Sequence, residues 1–530
     1  MPSPNLAEPS LRRGRAAVII LGLALWLWGL LGGLAASQWR LEYTLDDAWI
    51  HLQLAEQLSH GHMGLQPGQL SAPSSSPLWP FLLAPFAGSS FMHWIPLILN
   101  ALCLLASLWL LSRLLFPERT SHGRTTLPLA LAVVAVSNLP GLALTGMEHS
   151  LQVLLALLLL RVLQLRAEMP TPSPRLDWAF ALLCLLGPLV RYEMLALVLP
   201  AILLDPAPTR GRAGLVLRLL LACLPLGLYS LWLHSLGLGW LPGSLAAKSD
   251  LVASSGTVAR LRALVANGLH NVQLPQGRVL AGLGLVLAAC GFSRSLTRVT
   301  RRLAFWAALA IALHLLAGRT GWLNRYEIQV WLPGLVVGLG CLRELLGRDT
   351  TRIRGAGPVW LVPGLLLLAG LPYLRTTLES PTAMANIHEQ QAQLARFAQQ
   401  IWRGPVAVND IGRVSWRNPW PVLDLWGLAS PRALAARRAS AGADWADRLA
   451  REQGVQLVMI YPDWFDKLPE SWISLGRLHL ASRRVSSDRD AVEFFTLDST
   501  AAVRARLALA EFIPGLPPGV LFTRSPMTGH

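Results

Sequence analysis

Asp46 and Asp47 stand side by side in LEYTLDDAWIHLQLAEQLSHG (41–61), directly after an apolar run over residues 16–36. Two readings compete for them. Thr44 and Asp47 have the spacing of a helix capping box, and Trp49, Leu52, Ala55 and Leu58 recur behind them at roughly helical intervals. A carboxylate at a membrane surface can instead take the proton of an attacking hydroxyl. Other chemistry-bearing residues recur at the ends of apolar runs. TGMEHSL (145–151) sets Glu148 and His149 at a helix end, where a carboxylate can also be a simple dipole partner. LLGPLVRYEMLAL holds Arg191 and Glu193 inside an apolar stretch, where charges are costly and usually serve an ion or substrate path. GRTGWLNRYEIQVWLP (318–333) puts Arg325 and Tyr326 at the mouth of another run. Lys248, in LPGSLAAKSD, is one of only two lysines in a chain that otherwise uses arginine, which suits a phosphate contact as well as a solvated loop.

Carboxylates and cations on one membrane face fit transfer from a lipid-anchored phosphate ester. Cations hold the phosphate as it leaves, and a carboxylate deprotonates an acceptor hydroxyl. The Gly, Pro and Ser-rich stretch GHMGLQPGQLSAPSSSPLWP (61–80), with Ser76 and Trp79, can close over such a site. His51, His60 and His62 lack the regular spacing of a metal site, so solvated or interfacial histidines are expected.

The elements that must position these residues follow from hydropathy. With 53% hydrophobic and 14% charged residues among 530, the chain carries more apolar sequence than a soluble fold buries. Its mean hydropathy is +0.44. Apolar runs lie near 16–36, 92–112, 126–142, 149–165, 178–204, 214–235, 278–293, 303–318, 326–342 and 357–373. Arginine-bearing connectors fall at 113–124, 161–175, 210–218, 294–302 and 343–354. Placing these in the cytoplasm gives one alternating path of about eleven crossings, provided that 178–204 crosses twice around Arg191. The connectors 37–90, 143–148, 191–193, 236–277, 319–325 and everything after about 375 then face outward. Every stretch singled out above is among them. The net charge of +16 is spread as topology signals, which argues against nucleic acid. The five cysteines all sit in apolar stretches, with no disulfide framework or zinc spacing.

After Tyr373 the pattern becomes that of a soluble α/β unit. HEQQAQLARFAQQIW (388–402) reads as an amphipathic helix, GPVAVNDIG and PVLDLWG as short strands, and WADRLAREQGVQLVMIYP as helix then strand. Asp410 and Asp424 follow strands and could meet a sugar acceptor, although strand-end aspartates are commonly just turn formers. GLPPGVLFTRSPMTGH is expected to be a loose tail. The division is therefore 1–375, with a first external loop 37–90, and 376–530.

DDAWIHLQLAEQL, the Gly/Pro loop and SSSPLW together resemble the DDAY(I)…G-x-G…TSPLW signature of the polytopic GT-C glycosyltransferases, which use polyprenyl-phosphate sugars. TGMEHSL, VRYE, LPGSLAAKS, NRYEIQVWLP, VAVNDIG and VLDLWGLASP follow in the family's order, over about residues 41–431. The nearest branch is similar to the terminal arabinofuranosyltransferases and related bacterial enzymes of envelope or pilin glycosylation. Two features depart from the pattern. Leu52, Gln53 and Leu54 replace the aromatic and arginine often found there, and LSAPSSSPLW lacks a preceding glutamate.

The resemblance implies a polytopic α-helical membrane protein of GT-C type with a C-terminal extracytoplasmic α/β domain, in a bacterial inner membrane. It implies a transferase moving a sugar, with arabinofuranose the first candidate, from a polyprenyl-phosphate donor to a glycan or protein acceptor. Asp46 and Asp47 would be acceptor base and orienting partner. Lys248, Arg191, Arg325 and Tyr326 would bind the donor phosphate, and His51, Ser76, Trp79, Glu148, His149 and Glu193 would line the pocket. No fixed cofactor is implied, with room for a divalent cation (Mg, Mn or Ca) at an aspartate. Two other classes compete with the enzyme. One is a transporter or flippase for a lipid-linked glycan, and the other an assembly or sensory protein with a glycan-binding domain.

Overall fold

The computed structural model describes residues 4–118, 127–169, 173–205, 211–248, 256–347, 357–439, 442 and 444–526. Among them, seven helices are long and apolar enough to cross a membrane. They are Leu11–Ala36, Met92–Leu115, His149–Glu168, Gly211–Ser235, Pro275–Phe292, Arg298–Ala317 and Ile328–Leu346. An eighth, Trp360–Ala369 with Leu371–Leu378, is bent by 67°. The bend falls at Gly370, where a Cβ would collide with Val136. The expected eleven crossings exceed this count because Leu127–Leu142 and Tyr192–Leu203 are short apolar helices and Pro174–Val190 spans only 17 residues. The helix Pro174–Val190 stops at Arg191, so a break does occur at Arg191–Glu193.

Leu and Ile side chains on lipid-facing surfaces gain nothing from burial in a bilayer, so close packing by small residues decides which helices meet. The first helix shows this. Cβ atoms at Gly32 and Gly33 would collide with Pro381 and Met384, and these glycines let the helix Ser380–Glu389 lie against it. The expected domain boundary at 375/376 therefore falls inside the helix Leu371–Leu378, and the chain passes to the α/β unit while still packed on the bundle.

That unit is a six-stranded mixed sheet, ordered β2-β1-β3-β5-β4-β6. Its strands are β1 (Val406–Val408), β2 (Val422–Asp424), β3 (Leu457–Ile460), β4 (Ile473–His479), β5 (Ala491–Thr496) and β6 (Leu521–Arg524). β1 pairs in parallel with β2 and β3, and the remaining pairs are antiparallel. Period-two alternation sends Val406 and Val408 into one core layer with Phe397, Phe494 and Phe512, and Ala407 into the other with Trp445 and Leu449. Two expectations are corrected here. The loose tail contains β6, which pairs with β4 because its residues complete an otherwise open edge. The helix expected over 388–402 breaks at Gln390, whose side chain turns inward to accept from the Tyr461 hydroxyl.

Candidate functional site

The first connector begins where Gln38 and Trp39 take left-handed backbone (φ 54° and 61°) and turn the chain off the first helix. The helix Asp47–Ser59 follows, with Asp46 as its N-cap residue. No capping box forms: Asp46 makes no side-chain cap bond, and the Thr44 hydroxyl has no partner. The Asp46 carboxylate is committed elsewhere. Its Oδ2 accepts from the Gly412 amide at 2.6 Å and its Oδ1 from the Arg413 amide at 2.7 Å. Only glycine fits at 412, because a Cβ would collide with Asp46.

Around this contact the connector and the α/β unit are bolted together. Arg413 donates to Glu42 at 3.3 Å and lies 4.3 Å over the Trp49 ring. The Arg417 amide donates to Gln53 at 2.9 Å, and its guanidinium donates to Glu56 at 3.1 Å. Burial, then the nearby Asp410 carboxylate, raise the Asp46 carboxyl well above the ordinary carboxylate range. Asp410 accepts from Gln391 at 2.8 Å, and Asp424 accepts from the amides of Trp426, Gly427 and Ala429.

Asp47 points the other way, into the bundle. It accepts from Arg325 Nη2 at 2.7 Å and is 22% exposed, whereas Arg325 is 3% exposed. The same nitrogen donates to the Tyr326 hydroxyl at 2.9 Å. Arg325 Nε and Nη1 are buried and have no hydrogen-bond partner. What aims this arginine is a left-handed turn: Gly321, Trp322, Leu323 and Asn324 have φ of 88°, 47°, 58° and 48°. Each non-glycine residue there costs about 1–2 kcal/mol. The turn is clamped by Asn138, whose side-chain amide donates to the carbonyls of Leu323 (3.0 Å) and Asn324 (3.3 Å). Asn324 in turn donates to Pro372 O at 2.9 Å, and Glu327 accepts from the Gly321 amide at 3.0 Å. Strain of this kind persists only where the surroundings over-determine it, and it concentrates at functional sites.

Arg191 approaches the Tyr326 ring as well, 5.7 Å from its centroid against 4.8 Å for Arg325. It is bidentate to Glu193 (3.1 and 2.7 Å), and its remaining nitrogen donates to Glu148. The second Glu148 oxygen has no hydrogen bond and lies 3.6 Å from His51 Nε2. His149 meets the Tyr326 ring edge-on at 6.0 Å, with both its ring nitrogens unpartnered.

His51 is therefore buried, contrary to the solvated or interfacial placement expected for it, whereas His60 and His62 are exposed. The helix face that carries Asp47 carries His51 one turn later, so both turn inward. Burial holds its imidazole below the usual histidine value despite the Glu148 and Asp47 carboxylates. The Gly/Pro/Ser loop reaches the site through Ser74, 3.3 Å from His51 Nδ1. Ser76 instead accepts from the Trp79 amide at 3.1 Å and shapes the turn, and Trp79 is buried beneath it. Lys248 ends the short helix Gly243–Lys248, and its side chain lies outside the described residues.

The structure thus brings together Asp47, His51, Glu148, His149, Arg191, Glu193, Arg325 and Tyr326. It turns Asp46 outward to the α/β unit. Ser74, Asn138, Gly412 and Arg413 escaped the sequence reading. GPVAVNDIG marked a strand ending in a turn but not the partner of that turn, and nothing in the sequence singled out Asn138. For a divalent cation the donor set does not fit: both Asp46 oxygens face amides, Asp47 faces a guanidinium, and no group of three His, Cys, Asp or Glu converges among the described residues.

A family model described as a domain of unknown function (DUF8728) matches residues 385–495, which include the turn that holds Asp46. No curated protein matches the chain. Among solved structures, the chain is similar to ArnT from Cupriavidus metallidurans in the apo state, at 13% identity over 91% of this chain and 98% of that one, with a TM-score of 0.48. ArnT from the same organism bound to undecaprenyl phosphate matches at 12% identity with the same coverage and a TM-score of 0.45. The archaeal oligosaccharyltransferase AglB from Archaeoglobus fulgidus, in complex with an inhibitory peptide and a dolichol-phosphate, matches at 14% identity. That match covers 97% of this chain and 76% of that one, with a TM-score of 0.45.

Proposed function

We propose that the chain is a membrane glycosyltransferase that moves a sugar from a polyprenyl-phosphate donor to a hydroxyl of an extracytoplasmic glycan or protein, with arabinofuranose the first donor to test. The active face and the α/β unit are outside the cytoplasmic membrane, as the arginine distribution suggests. The observation that carries this reading is the Asp47–Arg325 pair. A carboxylate open enough to meet an acceptor faces a buried guanidinium with two vacant donors.

In this mechanism the donor phosphate accepts from Arg325 Nε and Nη1, flanked by the Tyr326 hydroxyl, and competes with Asp47 for the guanidinium. Asp47 is thereby released to accept the proton of the acceptor hydroxyl. The acceptor oxygen bonds to the anomeric carbon as the bond from that carbon to the phosphate oxygen breaks, and polyprenyl phosphate leaves with its charge held by arginine. Arg191, locked by Glu193 and Glu148, backs the Tyr326 ring. Asp46 is a positioning residue that fixes the start of the helix bearing Asp47. No step passes through a metal.

The test is incubation of the purified protein in nanodiscs with a panel of synthetic polyprenyl-phosphate sugars and candidate acceptors. Polyprenyl phosphate release is followed by mass spectrometry. Release from one donor, lost in a folded Asp47→Asn variant, supports the transferase. Transbilayer movement of a lipid-linked glycan that survives Asp47→Asn, without release, supports the flippase instead.

A further inference from the structure

The connector 236–277, read from the sequence as an outward loop, contains the helix Thr257–Gln273, and its surface divides into three faces. At about 100° per residue, Val258, Leu261, Val265, Leu269 and Val272 share one arc. They are 65, 63, 50, 62 and 38% exposed. The neighbouring arc, also exposed, carries Arg262, Ala266, His270 and Gln273. The third face is pinned to the protein by two asparagines.

Asn267 donates to the carbonyls of Leu316 (2.9 Å) and Gly318 (2.8 Å), and Asn271 to those of Leu315 (2.8 Å) and Gly318 (3.0 Å). Leu315 and Leu316 lie in the last turn of the apolar helix Arg298–Ala317, where carbonyls have no partner within their own helix. The asparagines therefore fix the 257–273 helix at the level where a membrane-crossing helix ends. Its own C-terminus is set at the same level. A single extended residue, Leu274 (φ −78°, ψ 143°), leads straight into the apolar helix Pro275–Phe292. Leu316, against which Gly268 packs, is itself 36% exposed, so the apolar arc is continuous with the lipid-facing surface of the bundle.

We propose that the helix Thr257–Gln273 is an interfacial helix whose partner is the lipid surface on the side of Arg325. The Val258, Leu261, Val265, Leu269 and Val272 stripe lies in the outer acyl region, and Arg262, His270 and Gln273 face headgroups and water. An exposed arc split between an apolar stripe and a polar one holding arginine is what such a position selects. Arg262 borders the stripe, where its alkyl stem lies along the apolar surface and its guanidinium reaches the phosphates. The helix is also tied to the site. The amide and hydroxyl of Thr320 both donate to Asn271 Oδ1 at 3.1 Å, one residue before the left-handed turn that aims Arg325. The lipid surface and the cation that meets the donor phosphate are thus linked through one asparagine.

The test uses the full-length chain in phosphatidylcholine/phosphatidylglycerol nanodiscs, with nitroxide labels on Leu261→Cys, Val265→Cys, Leu269→Cys, Ala259→Cys and Ala266→Cys. The background replaces Cys103, Cys184, Cys223, Cys290 and Cys341. Labels at 261, 265 and 269 should collide preferentially with oxygen, and those at 259 and 266 with an aqueous nickel chelate. Equal nickel accessibility at all five positions would overturn the proposal by putting the helix in water. Shielding of 261, 265 and 269 from both reagents would overturn it by showing protein cover. If the cysteine-free background does not fold, the wild-type protein is labelled with lipids carrying a diazirine in the upper acyl chain. Adducts on the stripe support the proposal, and their absence there, with adducts on Leu285 and Val286 of the neighbouring helix, overturns it.

Discussion

Charged side chains are buried at both ends of the helical bundle, and the two groups differ in how completely they satisfy one another. At the end away from Asp47, Arg166 donates to Asp177 and, at 2.9 and 2.8 Å, to Asp205. Arg218 reaches Asp205 at 2.5 Å, and both guanidiniums lie over Phe180 at 5.2 and 5.1 Å. Two cations meet two carboxylates, and none of the four has a buried polar atom without a partner. At the Asp47 end the count does not close. Arg325 Nε and Nη1, one Glu148 oxygen, both His149 nitrogens and the hydroxyls of Ser150 and Tyr192 are buried and unmatched. Each such atom costs about 1–3 kcal/mol when nothing meets it. The first cluster is a staple between helices, and the second, with its unmatched buried donors and acceptors, is the one that the proposed function makes the donor site.

That contrast can be broken by moving effects to the wrong end. Asp47→Asn should lower polyprenyl phosphate release by about 10²–10⁴-fold with the thermal transition unchanged, as removal of a general base does. A fall in thermal stability with unchanged turnover per folded molecule would make the Asp47–Arg325 pair a second staple. Arg325→Ala should cost about 10²–10³-fold, with donor and acceptor concentrations saturating.

Arg166→Ala should behave in the opposite way. Stranding Asp205 and Asp177 on one cation should destabilise the protein by about 3–5 kcal/mol, read from detergent-resistant folding, while the folded fraction retains its turnover. Turnover lost in proportion to neither stability nor yield would show that this end also takes part in the reaction.

Asp46 sharpens the comparison through pH. Its carboxyl titrates well above 3.8 in the folded protein, so the folded state holds a proton that the unfolded chain releases. Its stabilisation is therefore full below the unfolded pKa and is lost as pH rises through the higher folded pKa. The melting temperature of the wild type should fall over that rise, and Asp46→Asn should flatten the slope. The smallest effect is expected for Asn138→Ala, which releases the clamp on the left-handed turn. A loss of about 1–2 kcal/mol in thermal unfolding should come with weaker donor binding. Unchanged donor affinity would show that Arg325 needs no clamp.

The polar residues that cluster around Asp47 were largely visible in the chain, because a charge inside or at the end of an apolar run stands out against its background. Arg191 with Glu193, Glu148 with His149, and Arg325 with Tyr326 were found in this way. Their partners were harder to see. Ser74 and Ser76 are neighbours in one serine run, and only the fold of the loop decides that the former meets His51. Asp46 and Asp47 are indistinguishable as letters. One helix start sends them in opposite directions, toward Gly412 and toward Arg325.

Hydropathy and residue periodicity by themselves determined a bundle of apolar helices and an α/β unit near the C-terminus. These are properties of local composition, set by the cost of taking charge and backbone into lipid. The tertiary structure alone decided which aspartate faces the site, where the 257–273 helix lies, that residues 521–524 complete a sheet edge, and which buried polar atoms remain unmatched. Each depends on a contact between segments distant in sequence, such as the 366 residues separating Asp46 from Gly412, and no local pattern records such a contact.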